Sequence, residues 1–165
     1  MVEMELVGVR VELPSNTPIV LLREQDGEQR LLPIFIGGPE ATAIAFALED
    51  VETPRPLTHD LMKQLLDELS VRVDRIVVTE LRDTTFFAEI HLTGFGETYK
   101  VSSRPSDAVA LAVRVGCPIY AEEDVLDQAG YVDEDGAEDE TPDTEEVVEE
   151  FRHFIDNVNP DDFAS

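Results

Sequence analysis

The sequence predicts an α+β fold: duplicated strand-strand-strand-helix units forming a mainly antiparallel sheet, an extra helix between the copies, and a C-terminal tail helix. Three observations lead there. The segment Glu40-Ala-Thr-Ala-Ile-Ala45 recurs 67 residues later as Asp107-Ala-Val-Ala-Leu-Ala112, and each copy opens a helix just after a proline, Pro39 or Pro105. The same offset carries three strand-like segments onto three others. The turns between successive segments are short, which demands antiparallel pairing because parallel neighbours need a long crossover.

The elements follow in chain order. Residues 4–13 alternate through Val7, Val9, Val11 and Leu13, the period-2 pattern of a half-buried strand. Residues 19–24 and 29–36 supply two more apolar segments, with turn signals at Pro14 to Pro18 and at Asp26-Gly27. Gly37-Gly38-Pro39-Glu40 then reads as a glycine cap, a proline at the first helical position and an acid in the first turn. Ala41, Ile44, Ala45 and Leu48 form an i, i+3, i+4, i+7 face. Thr58-His59-Asp60-Leu61 opens the intervening helix, whose Leu61, Leu65 and Leu69 form an apolar ridge. The second copy comprises strands at 71–80, 86–91 and 96–103, then a helix whose start, Ser102-Ser103-Arg104-Pro105-Ser106-Asp107, offers serines as caps.

Charge divides the chain further. Of a net charge of -25, residues 1–121 carry 19 acids and 11 bases, whereas residues 122–165 carry 18 acids and a single base. Gly130 to Pro142 is too polar and self-repelling to bury a core. The expected organisation is a domain over 1–127, an acidic disordered linker over 128–143, and an amphipathic helix over 144–159. Thr144 caps that last helix, and Val147, Phe151, Phe154 or Ile155, and Val158 form its stripe, which needs a partner surface on the chain's own domain or on another protein. No apolar run approaches the roughly 20 residues of a membrane span, so no membrane partner and a cytoplasmic location are expected. The single Cys117 has no internal disulfide partner and reads as a structural thiol.

Three helix starts hold the residues able to do chemistry. If pseudo-symmetry gathers them on one side of the sheet, Glu40, His59, Asp60, Arg104, Ser106 and Asp107 form a candidate catalytic set. Glu40, Asp60 and Asp107 are the candidate ligands of Mg²⁺ or Mn²⁺, hard ions that favour oxygen; no organic cofactor is expected. Such an ion polarises a phosphoryl oxygen and activates water, and the forked donors of Arg104 suit a phosphate. Each acid also has a plain structural account, since carboxylates near helix N-termini gain about 0.3–1 kcal/mol there. Arg104 and Ser106 are more telling, because the first copy has Gly37 and Pro39 at the equivalent positions.

The strings LPIFIGGPEATAIAFAL (32–48), RPLTHDL (55–61), LRDTTFFAEI (81–90) and SSRPSDAVALAVRVGCPIY (102–120) resemble the bifunctional nuclease domain family, formerly a conserved domain of unknown function. The resemblance covers roughly residues 2–126 and leaves the acidic tail outside. It implies a domain linked in some relatives, in bacteria and plants, to cleavage of both DNA and RNA. The family's recurrent positions fall on Gly37, Glu40, Ala41, Thr58, His59, Asp60 and Ser103 through Asp107. Composition pulls the other way, because nucleic-acid binders usually carry a basic face and this chain has 12 bases against 37 acids. Nor is there an aromatic-interleaved basic stripe for stacking single strands. The alternative reading is therefore a non-catalytic oligomeric binding or regulatory module with an acidic interaction tail. A duplicated sheet with open edges favours self-association, a dimer first.

Overall fold

A computed structural model describes residues 1–132; the expected tail helix over 144–159 and most of the linker lie outside the described residues. Seven strands form one sheet in the order β3-β2-β1-β7-β4-β5-β6. The first half comprises β1 (Val2–Glu12), β2 (Thr17–Glu24), β3 (Leu31–Phe35) and α1 (Gly38–Leu48). After α2 (Thr58–Glu68) come β4 (Arg72–Arg82), β5 (Thr85–Gly94), β6 (Glu97–Ser103) and α3 (Pro105–Val115). Each half is an antiparallel meander followed by an 11-residue helix, and α1 shifted by 67 residues coincides with α3.

Two further elements join the halves. The strand β7 (Ile119–Ala121) pairs antiparallel with β1 and parallel with β4, and α4 (Glu123–Ala129) follows it. The parallel pairing is possible because β5, β6 and α3 supply the long crossover between β4 and β7. The apolar run Ile119-Tyr120-Ala121 after Gly116 was the available sequence signal, but three residues are too few for periodicity to register. α4 crosses residue 127, where the domain was expected to end, and Tyr131 forms a bridge with Leu31.

The helices α1 and α3 pack on each other, and both contribute to a single core with the sheet. Ala41, Ile44 and Ala45 are buried as their spacing predicts, and so are Ala108, Leu111 and Ala112. Leu48 departs from the pattern, being largely exposed at the end of α1. Six consecutive residues of α1, Ala41 to Phe46, are buried, so this helix is enclosed rather than half-solvated.

Three local expectations are corrected. The inward face of β1 does not run unbroken through Val7, Val9, Val11 and Leu13: the register against β2 shifts between Leu6 and Gly8, a bulge that flips the alternation, and Leu13 lies beyond the strand. Met4 and Leu6 face the core before the bulge and Val9 after it, while Val7 and Leu13 are exposed. Gly8 sits at φ 151°, a conformation other residues rarely adopt. Leu61, Leu65 and Leu69 are 49%, 54% and 56% exposed, because α2 turns Met62, Leu66 and His59 inward instead. The N-cap of α3 is Arg104, with no serine side chain bonded there.

Arg30 fastens α4 to the β2–β3 turn. Its Nε donates to Glu24 at 3.0 Å, its Nη2 to Glu123 at 2.6 Å and its Nη1 to Asp127 at 3.1 Å. Glu24 is buried, and the Arg30 hydrogen bond holds its carboxyl below the ordinary range against the opposing effect of burial. Cys117 is half-buried, and burial pushes its thiol up to about 11, leaving it a poor nucleophile at neutral pH.

Removing one partner of a buried ion pair leaves the other uncompensated, at a cost of about 3–5 kcal/mol. Thermal melts of Arg30→Met are expected to show a loss of that order at pH 7. Because the folded-state pKa of Glu24 is depressed, its contribution is present above the ordinary value of 4.5 and fades as pH falls through the lower folded value. The gap between wild type and variant should therefore narrow in acid; a gap constant with pH contradicts the assignment.

Candidate active site at three helix starts

The first turns of α1, α2 and α3 meet through side chains. Arg104, capping α3, donates from Nη2 to Glu40 Oε1 of α1 at 2.8 Å. Its Nε donates to Asp107 Oδ2 at 2.7 Å, and Nη2 also reaches Asp107 Oδ1 at 3.1 Å. His59 of α2 completes the chain, its Nε2 lying 2.9 Å from the same Asp107 Oδ1. Residues separated by 19, 45 and 3 positions in sequence thus form one hydrogen-bonded line, Glu40–Arg104–Asp107–His59.

Local sequence explains each position. Pro39 and Pro105 set the entries of α1 and α3, and Glu40 and Asp107 fall in the first turns. Gly37 caps α1, and a Cβ there would collide with Glu40 Oε2; the absence of a side chain lets the Glu40 carboxylate fold back and still hold Arg104. The equivalent cap of α3 is Arg104 itself, so the two halves differ at the residue that joins them.

The electrostatics balance closely. Two carboxylates face one guanidinium, and two helix N-termini add roughly half a positive charge each. Burial raises the Asp107 carboxyl, but hydrogen bonds from Arg104 and His59 outweigh it and hold the group below its ordinary range. Asp107 and Glu40 together drive the Arg104 guanidinium further into its charged form. His59 is 5% exposed, so its imidazole braces Asp107 from the protein side. Arg104 is open to solvent, its side chain 64% exposed, and among the described residues its Nη1 makes no hydrogen bond.

Asp60 points elsewhere. Its Oδ1 accepts from Arg114 Nε at 2.6 Å and its Oδ2 from the Leu57 backbone N–H at 2.8 Å, a cap of α2 and a tie to α3. Burial raises its carboxyl, and these two donors bring it below the ordinary range. The expected ligand trio of Glu40, Asp60 and Asp107 does not converge: among the described residues no group of three or more His, Cys, Asp and Glu side chains is arranged to hold a metal ion. Between Glu40 and Asp107 the cation is Arg104, and both Asp107 oxygens are already bonded. The side chains as arranged do not fit Mg²⁺ or Mn²⁺.

Ser106, itself buried, lies with Arg104 on a groove of ≈ 360 Å³ bounded by Ile34 to Gly37 at the end of β3 and by Thr84 to Phe86 at the β4–β5 hairpin. Phe35 and Phe86 were not singled out in the sequence, since neither carries a chemical group and they lie far apart along the chain. Arg114, which the sequence did not single out, takes Asp60, and its Nη1 also donates to Ala110 O at 2.8 Å. On β5, Glu89 and His91 form a further acid–imidazole pair, Oε2 to Nε2 at 3.1 Å.

Comparison with known proteins adds the lineage. Residues 20–134 match the family model of the bifunctional nuclease domain. The chain is 49% identical over 165 residues to an uncharacterised protein of Mycobacterium tuberculosis, covering 99% of this chain and 98% of that one. It is 30% identical over 115 residues to bifunctional nuclease 2 of Oryza sativa subsp. japonica, and 31% identical over 112 residues to bifunctional nuclease 2 of Arabidopsis thaliana. These alignments cover 68% and 65% of this chain but only 35% and 34% of the plant proteins. With the family model spanning most of the described fold, including every residue of the Glu40–Arg104–Asp107–His59 line, the chain belongs to the bifunctional nuclease domain family.

Proposed function

We propose that the chain hydrolyses phosphodiester bonds of DNA and RNA at the Glu40–Arg104–Asp107–His59 line. The observation that carries this reading is Arg104: exposed, fixed by two carboxylates, and with one amino group left over at the rim of a groove. A guanidinium so oriented suits a phosphoryl oxygen, and the two adjacent helix N-termini favour the negative charge that builds in the transition state. The names of the plant relatives support the same reaction class.

The roles follow from which atoms are committed. Glu40 Oε2 makes no hydrogen bond among the described residues, so it is the base that takes a proton from the attacking water. The water oxygen bonds to phosphorus, the bond from phosphorus to the leaving sugar oxygen breaks, and that oxygen is protonated by solvent in the open groove. Asp107 holds Arg104 in place, and His59 holds Asp107. Were Mg²⁺ or Mn²⁺ to assist, Glu40 and Asp107 would be the carboxylates to hold it and it would polarise a phosphoryl oxygen, whereas Asp60 is committed to Arg114.

A second reading is favoured by a different surface. Leu61, Leu65 and Leu69 stand exposed on α2, beside an apolar groove of ≈ 240 Å³ that includes Leu65 and reaches Val101 on β6. β6 is an edge strand of seven residues, exposed nearly throughout. A surface of that kind suits self-association, as a dimer or larger oligomer acting as a binding or regulatory module.

Four outcomes are expected. In assays on labelled DNA and RNA with Mg²⁺, Mn²⁺ or chelator, Arg104→Ala should lower kcat by about 10²–10³, the usual loss of one transition-state donor. Glu40→Gln should fall by about 10²–10⁴. Cleavage by Arg104→Ala at the wild-type rate removes the site, and activity abolished by chelator shows that the reaction depends on a metal ion. Gly37→Ala should reduce cleavage without a comparable fall in Tm, because the new methyl displaces the Glu40 carboxylate; an unchanged rate argues against Glu40 as the base. Sedimentation velocity of Leu65→Asp should show a smaller species than wild type, whereas a wild-type monomer at tens of micromolar rules out the second reading.

A further inference from the structure

The groove beside Arg104 is lined by more than its charged residue. Ile34 and Ile36 are buried, so strand alternation turns Phe35 outward at the end of β3, where it is 59% exposed. Phe86, at the start of β5, is half-buried and packs on the core, giving the groove a firm aromatic base. A lone exposed phenylalanine is ordinary, but here two aromatics share a concave surface with an incompletely bonded guanidinium. At ≈ 360 Å³ the groove lies near the lower end of small-ligand sites, which run from about 300 to 1,000 Å³.

The rim offers a second observation. The β4–β5 hairpin turns through Asp83 and Thr84 at φ 46° and 65°, both in the left-handed region. A β-branched residue is disfavoured there, and Asn or Gly is the usual occupant of such a turn. Thr84 lines the groove, so a strained position carries a hydroxyl and a methyl group into it.

Charge points the same way. The one cation lining the groove among the described residues is Arg104, and its charge is already offset by Glu40 and Asp107. Counterion release from one phosphate gives little affinity, so something other than charge has to hold the ligand. Stacking on an aromatic face does this without regard to base identity, and every unpaired base has such a face.

We propose that this groove seats one unpaired nucleobase, stacked on Phe35 over Phe86, with the adjoining phosphate on Arg104, so that the chain selects single-stranded over duplex nucleic acid. Placement of the phosphate rests on the nuclease reading above. A paired base presents its edges rather than its face, and stacking on Phe35 requires the base to leave its own stack.

The test is fluorescence anisotropy of the full chain with short phosphorothioate oligonucleotides that resist cleavage, in DNA and in RNA form. Each is prepared single-stranded, as duplex, and with abasic sites. Phe35→Ala is expected to weaken binding of base-bearing single strands by about 5- to 150-fold, the equivalent of one base–aromatic stack, while leaving abasic strands unchanged. Phe35→Trp should restore binding and quench a 2-aminopurine placed in the strand. The slope of log affinity against log salt should be shallow, close to that of one phosphate, about -0.7. Thr84→Gly should raise Tm and weaken binding together. Equal binding of abasic and base-bearing strands, or a Phe35→Ala affinity equal to wild type, overturns the stacking site while leaving the nuclease reading intact. Wild type that binds none of these oligonucleotides and cleaves none of the same strands made with ordinary phosphodiester linkages overturns both.

Discussion

The close packing of α1 on α3 is the constraint on which the rest of the molecule depends. Both helices present alanines to the interior, at 41, 43 and 45 in one and 108, 110 and 112 in the other, all nearly inaccessible to solvent. Small side chains let helix axes approach, and that approach brings the first turns of the helices within reach of one arginine. Two helix N-termini side by side repel one another through their partial positive charges. Glu40 and Asp107, one in each first turn, offset that repulsion, and Arg104 in turn keeps the two carboxylates from repelling each other.

This arrangement also bears on the chemistry. Three carboxylates at helix starts invite a divalent ion, although the sequence explains each of them equally well as a helix-start acid. In three dimensions the carboxylates are divided between two cations of the protein itself. Arg104 takes Glu40 and Asp107, while Arg114, almost wholly buried, takes Asp60 and ties α2 to α3.

Much of the fold was legible because it rests on local rules. Proline followed by an acid marks a helix start wherever it falls, and the two helices begin where Pro39 and Pro105 indicate. Five of the seven strands had alternation or apolar runs bounded by turn residues, and β6 was visible through its match to β3. What failed did so for identifiable reasons. A single bulge at Gly8 inverted the face of β1, because a period of two is destroyed by one inserted residue. The leucines of α2 formed a valid helical ridge, but periodicity says only that a face exists, not that it points inward.

The sequence by itself determined the two strand-strand-strand-helix halves, the helix between them, and the identity of the residues at the helix starts, since caps, turns and hydrophobic periods act over a few residues. Only the tertiary structure decided which of those residues touch. That Glu40 meets Arg104, that His59 supports Asp107, and that Asp60 turns to Arg114 all depend on contacts between residues 48 to 64 positions apart, set by how α1 and α2 pack on α3. The same holds for Phe35 and Phe86, far apart in the chain, which share a groove with Arg104 only in the folded protein. A long-range contact leaves no period in the chain, because its geometry is fixed by packing and not by spacing.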